Sequence, residues 1–180
     1  MNRRMLMAGI SGAALPLLVQ ASSQVAQAQT ASTAIPSAPL GVAQYRQMTL
    51  LVGSLAKQTS EVAMQRASHP KVKQFAGFEN AEQTTMAQVL TDTPNPRPVP
   101  LDPAHENMLR QLEATSGPAF DRSYVQGQIA GHQQLLGIQE SYLKGQPSMG
   151  TDPVHVAMLA RTVIQMHLTM LQDLNQMLIA

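Results

Sequence analysis

Pro94-Asn95-Pro96-Arg97-Pro98-Val99-Pro100 sets proline at every second position. Each ring fixes φ and removes an amide donor, so the stretch cannot continue a helix and favours an extended, polyproline-type crossing. Such a spacer has length to cover, and the segments on either side say what it joins.

On the N-terminal side, a helix is expected from Leu40 to Ala67, with Met48, Val52, Leu55, Thr59 and Val62 as its apolar stripe. Ser68-His69-Pro70 stops it and restarts another at once, because proline is tolerated in a first turn and Ser68 can cap the free amides. The second helix carries Val72, Ala76, Glu79, Gln83, Met86 and Leu90 at spacings of 4, 3, 4, 3 and 4. On the C-terminal side, Asp102-Pro103 opens a short helix to about Thr115, which Ser116-Gly117 ends. A third long helix runs from Pro118 to about Lys144, with Val125, Ile129, His132, Leu136 and Leu143 on one face. Gly145 to Gly150 breaks it, and Asp152-Pro153 caps a last helix striped by Val156, Ala160, Val163, His167, Met170, Leu174 and Met177. No strand-like alternation persists and no internal repeat is obvious. The sequence therefore predicts an all-α protein of two antiparallel helical hairpins joined by a long Pro-rich crossover with a short extra helix, which is ferritin-like four-helix topology.

Ahead of the bundle, Met1-Asn2-Arg3-Arg4, an apolar run from Met5 to Val19 and the small-x-small site Ala26-Gln27-Ala28 read as a signal peptide over 1–28. Arg3-Arg4 fits a twin-arginine route as well as an ordinary secretory leader. Residues 29–39, small and polar with two prolines, read as a flexible linker, leaving 40–180 for the bundle. The expected product is periplasmic or secreted, with no stable membrane span after cleavage.

The chain has 180 residues, 44% apolar and 13% charged, with 12 Met and no Cys or Trp. One domain with an aliphatic, Met-rich core fits; a multidomain enzyme, a disulfide scaffold and thiol chemistry do not. A net charge of +1, which becomes −1 once Arg3 and Arg4 are removed, leaves no basic field for nucleic acid. No nucleophile elbow or Gly-rich phosphate loop is present, so hydrolase and nucleotide chemistry lose their footing.

The polar residues that interrupt the apolar stripes are therefore the informative ones: Glu79, Gln83, His132 and His167, all mid-helix and able to meet in one layer. A buried carboxylate must find a partner, a proton or a cation. One reading is a single transition-metal site of iron, manganese, zinc or copper, held by Glu79, His132 and His167, with Gln83 behind them. The other is a hydrogen-bonded polar layer that fixes helix register. The sequence favours the second, because the two-metal carboxylate motif is missing: Ile164 precedes His167 by three, Asn80 precedes Gln83 by three, and Glu61 lies off the first stripe. Met166 and Met170 with His167, and Met158 with His155, form weaker soft-donor candidates for copper. His69, His105 and His155 sit near helix starts and are expected in solvent.

Ala67-Ser68-His69-Pro70-Lys71-Val72-Lys73-Gln74-Phe75-Ala76, the run Ser116-Gly117-Pro118-Ala119-Phe120-Asp121-Arg122-Ser123-Tyr124-Val125 leading to His132-Gln133, and His167 together resemble the exported bacterial family called domain of unknown function 4142. The resemblance covers about residues 40–178 and implies a ferritin-like bundle in the bacterial envelope, with no established activity. His132 and His167 match its pattern, and Asp121 and Tyr124 are carried over as structural residues. Members commonly show Asp-His where this chain has Glu82-Gln83, which replaces one histidine of the polar layer by an amide. The expectation is an exported, non-enzymatic binding or stress-related bundle, with a metal store or redox protein as the alternative. Assembly with itself or with another envelope protein is left open.

Overall fold

The computed structural model of the protein describes residues 38–145 and 152–179. The expected signal peptide, residues 29–37 of the linker and positions 146–150 of the expected break lie outside the described residues. Five helices make up the described chain: α1 (Val42–Arg66), α2 (Pro70–Thr91), α3 (Pro103–Glu113), α4 (Gly117–Lys144) and α5 (Asp152–Ile179).

The punctuation that the sequence carries is used as such. Pro70 and Pro103 occupy first turns, and Asp102 caps α3 by accepting the His105 amide at 2.9 Å. The α2 cap differs from expectation: His69, not Ser68, takes the position, its Nδ1 accepting the Lys71 amide at 3.3 Å. Ser68 instead turns its own amide toward Asp121. Gly117 starts α4 at φ +57°, a left-handed conformation that glycine adopts without steric penalty.

α1 packs along α2, and α4 along α5, as two hairpins. α1 also lies against α4, α5 touches α2, and α3 rests on α1 and α4. The chain between α2 and α3 is extended, and hydrogen bonds from Ser54 Oγ to the Val99 carbonyl and from Gln88 Nε2 to the Pro94 carbonyl, both 2.8 Å, tie it across α1 and α2. Arg66 fastens the end of α3 with bonds to the Glu113 and Thr115 carbonyls.

The apolar core falls into two parts. One gathers Tyr45, Val52, Leu90, Leu135, Ile138, Tyr142, Val154 and Ile164; the other gathers Ala63, Val72, Phe75, Phe120, Tyr124, Val125, Leu171 and Leu174. On α2, α4 and α5, the residues of one part and of the other are separated by Glu79, His132 and His167, which are buried between them. A polar layer thus divides the core at mid-bundle, as the spacing of those residues predicts.

Three stripes are corrected. On α4 Val125 and His132 are buried as expected, but Ile129, Leu136 and Leu143 are half-buried, and Tyr124, Gln128, Leu135, Ile138, Gln139 and Tyr142 join the buried face. On α1 the buried face is Tyr45, Thr49, Val52, Gly53, Ala56, Ser60 and Ala63, so Val52 alone is shared with the expected set. Small residues at 53, 56, 60 and 63 let the neighbouring helices approach closely, while the larger Met48, Leu55 and Val62 are half-buried at its flanks. On α5 the buried face is Val154, Ala157, Ala160, Ile164, His167, Leu171 and Leu174; Val156, Val163 and Met170 are half-buried, and Met177 is exposed. α5 is long and apolar enough to cross a membrane by length and composition, and the exposed Leu159, Met166 and Met177 widen its apolar sector beyond the buried face, so the expected stripe lies to one side of the observed one and shares Ala160, His167 and Leu174 with it.

Candidate functional site

α2, α4 and α5 bring Glu79, His132 and His167 together, as expected, with side chains buried to 0, 1 and 5% exposure. Glu79 Oε2 lies 3.3 Å from His132 Nε2 and 3.3 Å from His167 Nδ1, and those nitrogens are 3.2 Å apart. Three Lewis-base atoms therefore mark a nearly equilateral triangle. The two nitrogens are within hydrogen-bond reach of each other, whereas Glu79 Oε2 accepts no hydrogen bond among the described residues.

The surrounding groups fix this orientation. His132 Nδ1 lies 2.8 Å from the Gln128 carbonyl. A carbonyl can only accept, so Nδ1 carries the proton and a neutral His132 points the Nε2 lone pair at the centre. Gln83 Nε2 donates to Glu79 Oε1 at 3.0 Å, which holds one carboxylate oxygen and leaves the other facing the imidazoles. Phe75, one turn before Glu79, closes the apolar side with its ring centroid 5.2 Å from that of His167 and 6.1 Å from that of His132.

Electrostatics follow from burial and from these contacts. Burial alone would raise the Glu79 carboxyl, but His132 and His167 override it and hold it down at about 2. Burial also disfavours a charged His132, yet the Glu79 carboxylate wins and its pKa lies above the ordinary 6.5. In metal-free protein these groups oppose each other in pH. Glu79, depressed in the fold, contributes stability above its ordinary 4.5 that is lost as pH falls toward about 2. His132, raised in the fold, contributes stability below 6.5 that is lost as pH rises through its elevated value. Chelator-treated protein should therefore show its highest melting temperature between about pH 4.5 and 6.5, and a thermal scan that climbs steadily to pH 9 would refute that balance.

Glu82 is a member of this site that sequence reasoning missed. Its Oε2 is 3.4 Å from His167 Nδ1. Its carboxyl is raised by burial and by the Glu79 charge. The available signal was its position three residues after Glu79, which puts both carboxylates on one side of α2. Beside the site, Ser60 Oγ and Tyr124 OH are 2.8 Å apart, and Gln128 Nε2 reaches the Ala56 carbonyl, Thr59 and Ser60. Asp121 accepts the Ser68 and His69 amides at 2.9 and 2.8 Å.

Other expected candidates lie elsewhere. Glu61 pairs with Lys57 at the surface. Met166 is 54% exposed while the adjacent His167 is in the core, and His155 is exposed, so the soft-donor groupings are not assembled around either histidine. His105 corrects the expectation of a solvent histidine: it is 3% exposed, its Nδ1 folded back to within 2.7 Å of Asp102 Oδ1. The short helix buries one face, and His105 stands on it with Leu112.

The triangle has the dimensions of a metal-ligand face. A side of 3.2–3.3 Å puts its centre about 1.9 Å from each corner, the side divided by √3. A tetrahedral ion with bonds of about 2.0–2.1 Å needs ligand atoms about 3.3–3.4 Å apart. Two imidazoles and one carboxylate suit zinc, iron or copper, and the partners of His132 Nδ1 and Glu79 Oε1 are those that ordinarily orient metal ligands.

The chain belongs to the family described as Domain of unknown function (DUF4142), whose model matches residues 24–174. No curated protein and no solved structure matches it.

Proposed function

We propose that this member of the family is a binding protein that holds one divalent transition-metal ion inside its helical bundle, with Glu79, His132 and His167 as ligands. The carrying observation is the triangle of Glu79 Oε2, His132 Nε2 and His167 Nδ1, with sides of 3.3, 3.3 and 3.2 Å and an unpartnered carboxylate oxygen at one corner. A proton on His167 Nδ1 can be given to only one of its two neighbours at a time, His132 Nε2 or Glu79 Oε2, so one of the converging atoms stays unserved unless a cation stands among them. In metal-free protein a second proton on His132 can serve, and a metal ion serves better because it engages all three atoms at once. The donor set of two nitrogens and one oxygen supports zinc, iron, manganese or copper, and among the described residues a single group of three such donors comes together, which supports one ion rather than two.

The leader-like start of the sequence, with Arg3-Arg4, an apolar run and Ala26-Gln27-Ala28, supports an exported protein, and two hairpins joined by a crossover support a ferritin-like arrangement of the bundle. Export is checked by intact mass of the protein from the envelope fraction, which should begin at Gln29. The metal reading is checked by elemental analysis of protein purified without chelator, and again after incubation with Zn²⁺, Fe²⁺, Mn²⁺ or Cu²⁺ and desalting. One ion per chain is expected. Chains that retain less than a tenth of an equivalent of every metal would leave the polar layer as a structural device for helix register.

A further inference from the structure

A ligand set this deeply buried needs a route, and the packing supplies one. The extended segment from Pro94 to Leu101 roofs a cleft of about 810 Å³ over α1 and α2, floored by Gly53, Gln83, Met86 and Ala87. A small crevice of about 10 Å³ lies between Thr49, Gln139, Glu82 and Gln83. Thr49, Gln83 and Met86 border both spaces, and of these three Gln83 is the one that bonds to a member of the triangle, Glu79.

That side chain is held by little. Its Nε2 makes one hydrogen bond to Glu79 Oε1, and its Oε1 occupies the space left by the missing side chain of Gly53, where a Cβ would come within 2.4 Å of it. Rotation of the amide toward the cleft costs one hydrogen bond and displaces no helix. Where Phe75 packs on both imidazoles the site is closed by the apolar core, and on the side of His167 the half-buried Glu82 carboxylate stands between the imidazole and the surface.

We propose that this cleft is the path by which the metal ion reaches and leaves the bundle interior, and that Gln83 is its gate, seated on the Gly53 notch. The inference rests on the metal-site reading above and assigns to Gln83 a positioning and gating role rather than that of a ligand. It makes association and release depend on the same side chain, so opening or blocking the path moves both rates in one direction, and Gln83→Ala, which also removes the bond that orients Glu79, speeds release more than uptake.

The test uses Co²⁺ as the probe, with uptake followed by visible absorption in stopped flow and release followed by transfer to excess EDTA. Gln83→Ala should speed both uptake and release at least ten-fold, and Gly53→Ala, whose methyl evicts the amide without touching a ligand, should act in the same direction. Ala87→Phe, which fills the cleft from α2, should slow both rates at least ten-fold with Kd unchanged; Thr84→Phe on the same wall replaces it if that variant fails to fold. A Gln83→Ala protein whose release accelerates while uptake stays at the wild-type rate would overturn the gate and leave Gln83 as a support for Glu79. Wild-type rates in every variant would overturn the route but not the site. Failure of the wild-type protein to take up Co²⁺ would overturn the site and the gate with it.

Discussion

A His132→Ala, His167→Ala double variant should lose the bound ion entirely. Each substitution removes one of the three atoms that define the triangle, and Glu79 alone offers a single oxygen. Structural zinc in small four-ligand sites contributes about 10–16 kcal/mol, so each ligand is worth about 2.5–4 kcal/mol, and two lost ligands weaken affinity by about 10³–10⁶-fold. The measurement is metal per chain after dialysis, with wild type as reference; one ion per chain in the double variant would exclude the assigned ligands. Folding must be separated from binding, because the same change leaves a buried carboxylate facing empty space, at a cost of about 3–5 kcal/mol unless it takes up a proton. A Glu79→Met, His132→Leu, His167→Leu triple variant separates them. It replaces the whole layer by apolar groups of similar size, so the protein should fold at least as well as the metal-free wild type and bind no metal.

The same triple variant bears on why the site was only partly legible in the sequence. Glu79, Gln83, His132 and His167 could be found because each breaks an apolar stripe, and a charge costs too much in a core to be there by accident. Helix limits were legible for a similar reason: Pro70 and Pro103 cannot sit inside a helix but suit its first turn. The α1 face was hidden because its contacts are made through Gly53, Ala56, Ser60 and Ala63, whose value lies in being small rather than apolar. The α5 face was shifted because apolar residues such as Leu159, Met166 and Met177 stand exposed beside the buried ones and look the same in sequence. Glu82 was missed because it is polar and sits at the rim of the buried face, where a solvated carboxylate and a neighbour of His167 look alike in sequence. The distances were beyond sequence altogether. The metal reading proposed above rests on them, and on the one oxygen of Glu79 that the hydrogen bonds leave without a partner.

Asp121→Ala should cost the fold about 3 kcal/mol, a large share of the roughly 5–15 kcal/mol that holds a domain of this size together. Asp121 is 2% exposed, in the first turns of α4, and its two oxygens separately accept the Ser68 and His69 amides. Those amides lie just ahead of α2, where no helical carbonyl can serve them. The carboxylate thus does two jobs: it satisfies both donors with charge-assisted bonds, and it fixes where α2 begins relative to α4. Removing it leaves two partly buried donors and costs about 1–3 kcal/mol for each. Asp121→Asn keeps the shape but offers one acceptor, and it turns an NH₂ toward the second amide, so it should recover no more than half of the loss. Urea denaturation reads both variants as a lower midpoint with an unchanged slope. A loss below about 1 kcal/mol in Asp121→Ala would mean that water serves the two amides as well as the carboxylate does. The metal site adds a second readout, because α2 carries both Phe75 and Glu79. If Asp121 sets the position of that helix, the alanine variant should also bind metal about 10–100-fold more weakly, the loss typical of displaced support for a ligand.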